Sequence, residues 1–322
     1  MLKYIGKRMV SMIPVVLIIS VMLFGMFKSM PGDPIRALMP QGQLTPEQIQ
    51  VERQKVIEQY GFDKPLPVQY VKWMGELVQG NLGMSTQYKR PAIDVIKEPM
   101  MNTIILNILS LIIAFMISIP VGIKSAVKRG STYDNFWQVF SLVGMSVPTF
   151  FIAMITIYVF AIKLGLFPIG GMPSKNMGGI YALNYLKFIT LPLLTLTLGS
   201  LASVIRYVRN AMIEALGQDY IRTARSKGLS EKIVIYRHAF RNALIPIVTL
   251  VAGSLVSVFG GSMITEQIFA FNGIGTVMIN AINNRDFMIV LALNMFYSVL
   301  ALFANLLMDL GYALVDPRVK LD

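Results

Sequence analysis

Acidic, basic and amide side chains are scarce in this chain, so where they fall is informative. Of 322 residues, 14% are charged and 55% hydrophobic, whereas a soluble domain carries about 25% charged residues. Much of the surface therefore meets something other than water. A polar group inside an apolar stretch is costly and is a functional candidate by default. Asn294, Ser298, Asn305 and Asp309 repeat at a spacing that puts them on one face of a helix. Glu266, with Gln267, closes another apolar stretch, and Asn102 and Asn107 lie in a third. A row of this kind can line a solute pathway. It also fits Asn residues that bridge helices and carboxylates (Asp309, Glu266) held at headgroup level.

Other chemistries lack their residues. The chain has no cysteine, which removes disulfides, thiolate nucleophiles and Cys-ligated metal. Its single histidine, His238, sits beside Arg237 in a polar segment. A zinc or Ser–His protease working inside a membrane would need histidine at membrane depth. No G-x-x-x-x-G-K-[ST] motif occurs, so ATP hydrolysis is not expected from this chain. The net charge of +12 is not arranged as a basic, aromatic-interleaved surface, so no nucleic acid is expected.

The second candidate is the polar segment from about Arg206 to Arg241. Met212, Ile213, Leu216, Gly217, Tyr220, Ile221 and Ala224 form one stripe at helical spacing, with Glu214, Asp219, Arg222 and Arg225 largely off it. Gly228 is a natural residue to follow a helix, and Ser230 with Glu231 starts another. The segment reads as helix, tight Gly turn, helix. Two outcomes fit this pattern: a compact knob, or an amphipathic helix lying on a bilayer.

Six apolar runs must position these residues, near 9–27, 101–123, 135–162, 188–205, 243–265 and 287–308. About 20 apolar residues cross roughly 30 Å of hydrocarbon as a helix. The run at 188–205 is the shortest. Lys28-Ser-Met-Pro-Gly-Asp33 is a poor cleavage site, so the first run reads as a retained helix. Pro120, Pro148, Pro192 and Pro246 are expected to kink or end helices. Gly253, Ser257, Gly260 and Gly261 are expected to permit close helix approach. With the amino terminus inside, the inner segments hold sixteen basic residues and the two short outer loops only Lys163, Lys175, Lys187 and Arg285. That asymmetry places both termini in the cytoplasm. Segment 31–98 is then extracytoplasmic. Within it Thr45-Pro-Glu-Gln48 starts one helix that Gly61 ends, and a second starts at Pro67 and stops at Gly80. These helices can lie on the membrane, pack over a pore mouth or serve as a spacer.

The stretch 214–246, EALGQDYIRTARSKGLSEKIVIYRHAFRNALIP, resembles the cytoplasmic loop of ABC importer permeases of the dipeptide/oligopeptide/nickel family. Arg222-Thr-Ala224 stands where other permeases have Glu-Ala-Ala, and Gly228 stands where they have Gly. The interval from Gly228 to Pro246 is longer than in sugar permeases, as is usual for the peptide branch. Pro31-Gly-Asp-Pro34, Gly61-Phe-Asp-Lys-Pro-Leu-Pro-Val-Gln-Tyr70, Gly144-Met-Ser-Val-Pro148, Lys163-Leu-Gly-Leu-Phe-Pro168 and Asn284-Arg-Asp286 look like the same family. The resemblance implies an all-α membrane protein with six transmembrane helices and a type I ABC importer permease (MetI-like) core. It divides the chain into 1–30 (terminus and first helix), 31–98 (extracytoplasmic), 99–314 (permease core) and 315–322 (tail). It implies a bacterial or archaeal inner membrane, no catalysis and no cofactor on this chain, with ATP and Mg on partners. Those partners would be a second homologous permease, two ABC ATPases, an extracytoplasmic substrate-binding protein and membrane lipid. Short peptides are the expected substrate. Nickel or another small solute, or a self-sufficient secondary carrier, are the alternatives. Glu214, Gly217, Asp219, Tyr220, Arg222, Thr223, Ala224, Arg225 and Gly228 would form the ATPase-coupling element.

Overall fold

The computed structural model describes residues 2–29, 35, 39, 45–174, 177–260 and 262–315. The Pro31-Gly-Asp-Pro34 motif, Lys175, Gly261 and the tail with Arg318 and Lys320 lie outside the described residues. Among the described residues the regular structure is helical, apart from one isolated bridge between Met84 and Pro91. The helices are α1 Leu2–Ser29, α2 Pro46–Tyr60, α3 Leu66–Val78, α4 Ala92–Val127, α5 Thr132–Ser146, α6 Thr149–Thr156, α7 Tyr181–Leu216, α8 Asp219–Ser226, α9 Glu231–Ile233, α10 Arg241–Gly260, α11 Met263–Ile268, α12 Ile274–Asn283 and α13 Phe287–Val315. π-Helical segments Ile157–Lys163 and Val234–Phe240 extend α6 and join α9 to α10.

Four helices are long and apolar enough to cross a membrane, α1, α4, α7 and α13; α5 with α6 and its π-helical extension makes a fifth if the bent pair is one span. The run at 135–162 is thus not straight but bent by 103°. Pro148 is the cause. The residue before a proline is pushed out of the α region, and Val147 adopts an extended conformation (φ −84°, ψ 122°). Pro120, Pro192 and Pro246 lie inside continuous helices, so only Pro148 ends one. The run at 188–205, shortest in the sequence, belongs to a helix of 36 residues. The run at 243–265 ends early at Gly260, and Glu266 sits on the separate short helix α11.

Two compact units emerge: Met1–Asn102 with Gly273–Phe303, and Thr103–Asn272 with Ala304–Asp322. In the first, the Thr45 hydroxyl accepts from Gln48 N–H and the Gln48 side chain from Thr45 N–H, a reciprocal capping box. Gly61, in the left-handed region at φ 69°, ends α2 as expected. Rings of Phe24, Tyr70 and Trp73 cluster with centroids 5.7–6.2 Å apart, packing α3 on α1. The Ser20 and Tyr70 hydroxyls meet at 2.8 Å in the same contact. Phe27, Met288 and Leu291 form the adjoining apolar core. Asn284 and Arg285 of the Asn284-Arg-Asp286 motif are exposed, while Asp286 is fully buried. Its Oδ2 accepts from the Ser85 hydroxyl and, at 3.2 Å, from Gln87 N–H, pinning the turn after α3.

In the second unit α7 is central, packed by α5, α6 and α10. Close approach occurs at glycines outside the stripe expected to provide it. A Cβ on Gly122 of α4 would lie 2.8 Å from Val208 of α7, and one on Gly144 of α5 would lie 2.8 Å from Ala202. Gly253 and Gly260 have nothing within 4 Å of that position. We therefore expect Gly122→Val to destabilise the protein by about 1–3 kcal/mol through overpacking, with Gly253→Ala neutral. Thermal unfolding of the detergent-solubilised protein measures both.

Candidate coupling site

The candidate coupling residues sit where α7 outruns its apolar length. Its 36 residues rise about 54 Å at 1.5 Å per residue, against about 30 Å of hydrocarbon. The helix is therefore longer than the hydrocarbon is thick, and the charged Arg206, Arg209 and Glu214 fall in its carboxyl-terminal turns. Their apolar face does not stay exposed: Val208, Ala211, Met212 and Ala215 are buried in one cluster. The helix stops at Leu216, and the chain breaks direction through Gly217 and Gln218 into α8. The single stripe expected over 212–224 is thus shared by two helices.

On α8 only Ile221 and Ala224 are buried, one turn apart, and both join the cluster with Val234, Ala239 and Ala243. The apolar face of α8 is therefore covered by the chain's own residues rather than offered to lipid. That favours the knob over a helix lying on the bilayer. Ala224, one of the coupling candidates, is buried in this cluster and is not on the outward face. Asp219, Tyr220, Arg222, Thr223 and Arg225 carry the outward face, with Glu214, Gly217 and Gly228 exposed at its ends.

The stop after α8 is built from backbone. Gly228 N–H donates to Arg225 O at 2.9 Å and Leu229 N–H to Ala224 O at 3.4 Å, the paired bonds of a Schellman motif. Gly228 has φ 75°, a region where a Cβ is disfavoured. Across the turn Arg225 grips Glu231 through two bonds, 2.8 and 3.3 Å long. Both side chains are about half exposed, so the clasp contributes at most about 1 kcal/mol. Arg222 and Asp219 pair at 3.5 Å along the outer face. Burial pushes the Tyr220 phenol above its ordinary value, opposed by a hydrogen bond with Asn242.

Beneath this knob lies an ion pair that sequence reasoning missed. Asp134 in the first turn of α5 is fully buried, and Arg209 of α7 holds it with two bonds of 2.5 and 2.8 Å. Gly130 N–H and the Gln138 amide donate to the same carboxylate at 2.9 and 3.1 Å. The Ser131 hydroxyl caps α5 by accepting from Asp134 N–H. An Asp three residues after a Ser at the start of an apolar run signals a helix start, but not that its partner lies 75 residues away.

The pathway candidates are spread differently. Asn294 and Ser298 are half-buried and donate back to carbonyls one turn earlier, Val290 and Asn294, both at 2.8 Å. Asn305 is exposed and Asp309 intermediate. Glu266 has no exposed surface; Oε1 accepts from the Thr103 hydroxyl at 2.9 Å and from Ser262 N–H at 3.3 Å. Asn107 reaches the Val258 carbonyl at 3.0 Å, a bridge between α4 and α10.

A family profile described as "Binding-protein-dependent transport system inner membrane component" matches residues 118–321, and its amino-terminal companion matches residues 1–105. The chain belongs to this family. It is a permease subunit of an ABC importer, a multi-pass membrane protein, and the family implies ATPase and binding-protein partners. Similar proteins include the oligopeptide transport system permease protein AppB of Bacillus subtilis, 37% identical over 99% of this chain and 100% of that one. A putative peptide permease protein of Brucella suis is 37% identical over 99% of each chain. A probable peptide ABC transporter permease protein of Sinorhizobium fredii is 35% identical over 98% of this chain and 99% of that one. Among solved structures, a chain of the MetNI methionine ABC transporter in an inward-facing form superposes with a TM-score of 0.54. It is 18% identical and covers 70% of this chain and 97% of the other. The MetI-like fold expected from the sequence is thus present.

The buried ion pair yields a direct expectation. Asp134→Asn leaves the Arg209 guanidinium without its counter-charge, which costs about 3–5 kcal/mol. The double variant D134L/R209M recovers most of that loss. Melting temperatures of the two purified variants test this; equal losses in both would contradict it.

Proposed function

We propose that this permease passes short peptides, delivered by an extracytoplasmic binding protein, across the cytoplasmic membrane of a bacterium or archaeon. What carries the substrate reading is similarity of 35–37% over nearly the whole chain to proteins named as peptide permeases. The assembly would hold this chain, a second homologous permease, two ABC ATPases that bind ATP and Mg, and the binding protein. This chain would bind no cofactor and catalyse nothing. Its divisions would be 1–30, 31–98, 99–314 and 315–322.

The coupling element would be α8. A permease without an ATP site needs a rigid contact that transmits motion from an ATPase. A two-turn helix with a buried apolar face, a charged outer face and a hard stop at both ends supplies one. Because α8 follows α7 after a two-residue break, a push on the knob reaches a helix long enough to span the membrane. Alternating access would follow: ATP binding closes the ATPases and opens the permease outward, and hydrolysis resets it. Asn294, Ser298, Asn305, Asp309 and Glu266 remain candidates for the pathway in a state other than this one.

The substrate is tested by uptake in cells with and without the gene. Deletion should abolish accumulation of labelled di- to pentapeptides and spare Ni2+; loss of Ni2+ uptake alone would replace peptide with metal. Transport by the purified chain alone in liposomes would sink the importer reading in favour of a secondary carrier.

Topology is tested on the same strain. The chain has no native cysteine, so Gln54→Cys and Ser230→Cys each label one site. An impermeant thiol reagent should modify the first in intact cells and not the second. The reverse pattern would put α8 outside and remove it from any ATPase.

Coupling is tested by Arg222→Glu and Gly228→Val. Arg222 is 80% exposed, so its charge reversal should spare folding and abolish stimulated ATP hydrolysis in the reconstituted complex. Val at a φ of 75° is strained by about 1–2 kcal/mol and should loosen the stop and slow uptake. Wild-type uptake rates in both variants would exclude α8 as the coupling element.

A further inference from the structure

Between α5 and α7 lies a cavity of about 300 Å³. Val139, Leu142 and Ile205 form its apolar wall, and Gln138, Arg206 and Asn210 its polar one. Arg209 also borders it, but its charge is spent on Asp134. Arg206 is different: it is exposed and makes no ion pair among the described residues. Ser141 also lines the cavity. The residue is 1% exposed, yet its hydroxyl has no hydrogen-bond partner. A buried, unsatisfied hydroxyl is costly, so a ligand acceptor here would relieve it. Trp137 adds an indole N–H, a donor with no acceptor capacity.

The donors therefore outnumber the acceptors, with one unpaired positive charge among them. That set suits a phosphate. The level in the membrane narrows the ligand further. Arg206 immediately follows the apolar run 188–205, and Trp137 lies at the start of the run 135–162. Both stand where spans meet headgroups, the usual place for Trp and for snorkelling Arg. Phe136 beside the cavity, and Val139 and Leu142 in its open wall, are each about 60% exposed, a surface for acyl chains. We propose that the α5–α7 cavity is a binding site for an anionic phospholipid, with the headgroup phosphate on Arg206 and Ser141. The inference needs only a membrane-embedded chain, not the peptide or coupling readings.

The test uses the purified transporter complex in nanodiscs holding equal phosphatidylglycerol and phosphatidylcholine. Lipid retained after brief detergent extraction is counted by native mass spectrometry. The wild type should retain phosphatidylglycerol preferentially. Arg206→Gln should lower that preference about tenfold, the size of one charge-assisted hydrogen bond. Ser141→Ala, which removes only an unpaired hydroxyl and leaves the fold intact, should keep the preference but lower total phosphatidylglycerol retention about threefold. Added inorganic phosphate at millimolar concentration should not displace the lipid. Equal retention of the two lipids by the wild type, an unchanged preference in Arg206→Gln, unchanged retention in Ser141→Ala, or displacement by free phosphate would each overturn the proposal. So would crosslinking of Val139→Cys to a second permease with no lipid retained, since a protein would then fill the cavity. Peptide uptake, measured in parallel, separates this outcome from failure of the transport reading.

Discussion

A peptide group in hydrocarbon has no water to bond, and each unsatisfied N–H or C=O costs several kcal/mol. That constraint underlies the structure. It explains why regular structure in the described residues is helical, and why its interruptions carry dedicated partners. Where α5 stops, Val147 N–H still bonds back to Val143 O before Pro148, which has no N–H to satisfy, starts α6. A proline at that point gives a sharp bend without an orphaned donor.

The same constraint governs charge. Three carboxylates are fully buried among the described residues, Asp134, Glu266 and Asp286. Each is bonded by a side chain distant in sequence: Arg209 at 75 residues, Thr103 at 163 and Ser85 at 201. Each joins elements that sequence order does not make neighbours, α5 to α7, α4 to α11, and the turn after α3 to the start of α13. The Asp134–Arg209 pair fixes the first turn of α5 to the part of α7 that leads into α8. Val208, beside Arg209, is the residue that Gly122 of α4 closely approaches. A displacement of α8 therefore meets a base pinned on two sides.

How far the sequence alone reached depended on the range of the interaction involved. The Thr45 capping box, the ends of α2 and α8 at Gly61 and Gly228, and the start at Ser230 were all legible. Each depends on backbone angles and on bonds within a few residues, which residue type controls directly. The apolar runs were legible because length and hydrophobicity suffice to mark a span, and the family could be recognised from short motifs strung along the whole chain. Tertiary structure decided the rest. It turned Ala224 inward and left Arg222 outward, because the apolar faces of α7, α8 and α10 bury one another. It placed close helix contact at Gly122 and Gly144 rather than Gly253 and Gly260, since proximity depends on which helix lies opposite. It made Asp134 a buried anchor, because only folding brings Arg209 to it across 75 residues; a carboxylate's partner is a matter of position in space, which no local pattern encodes.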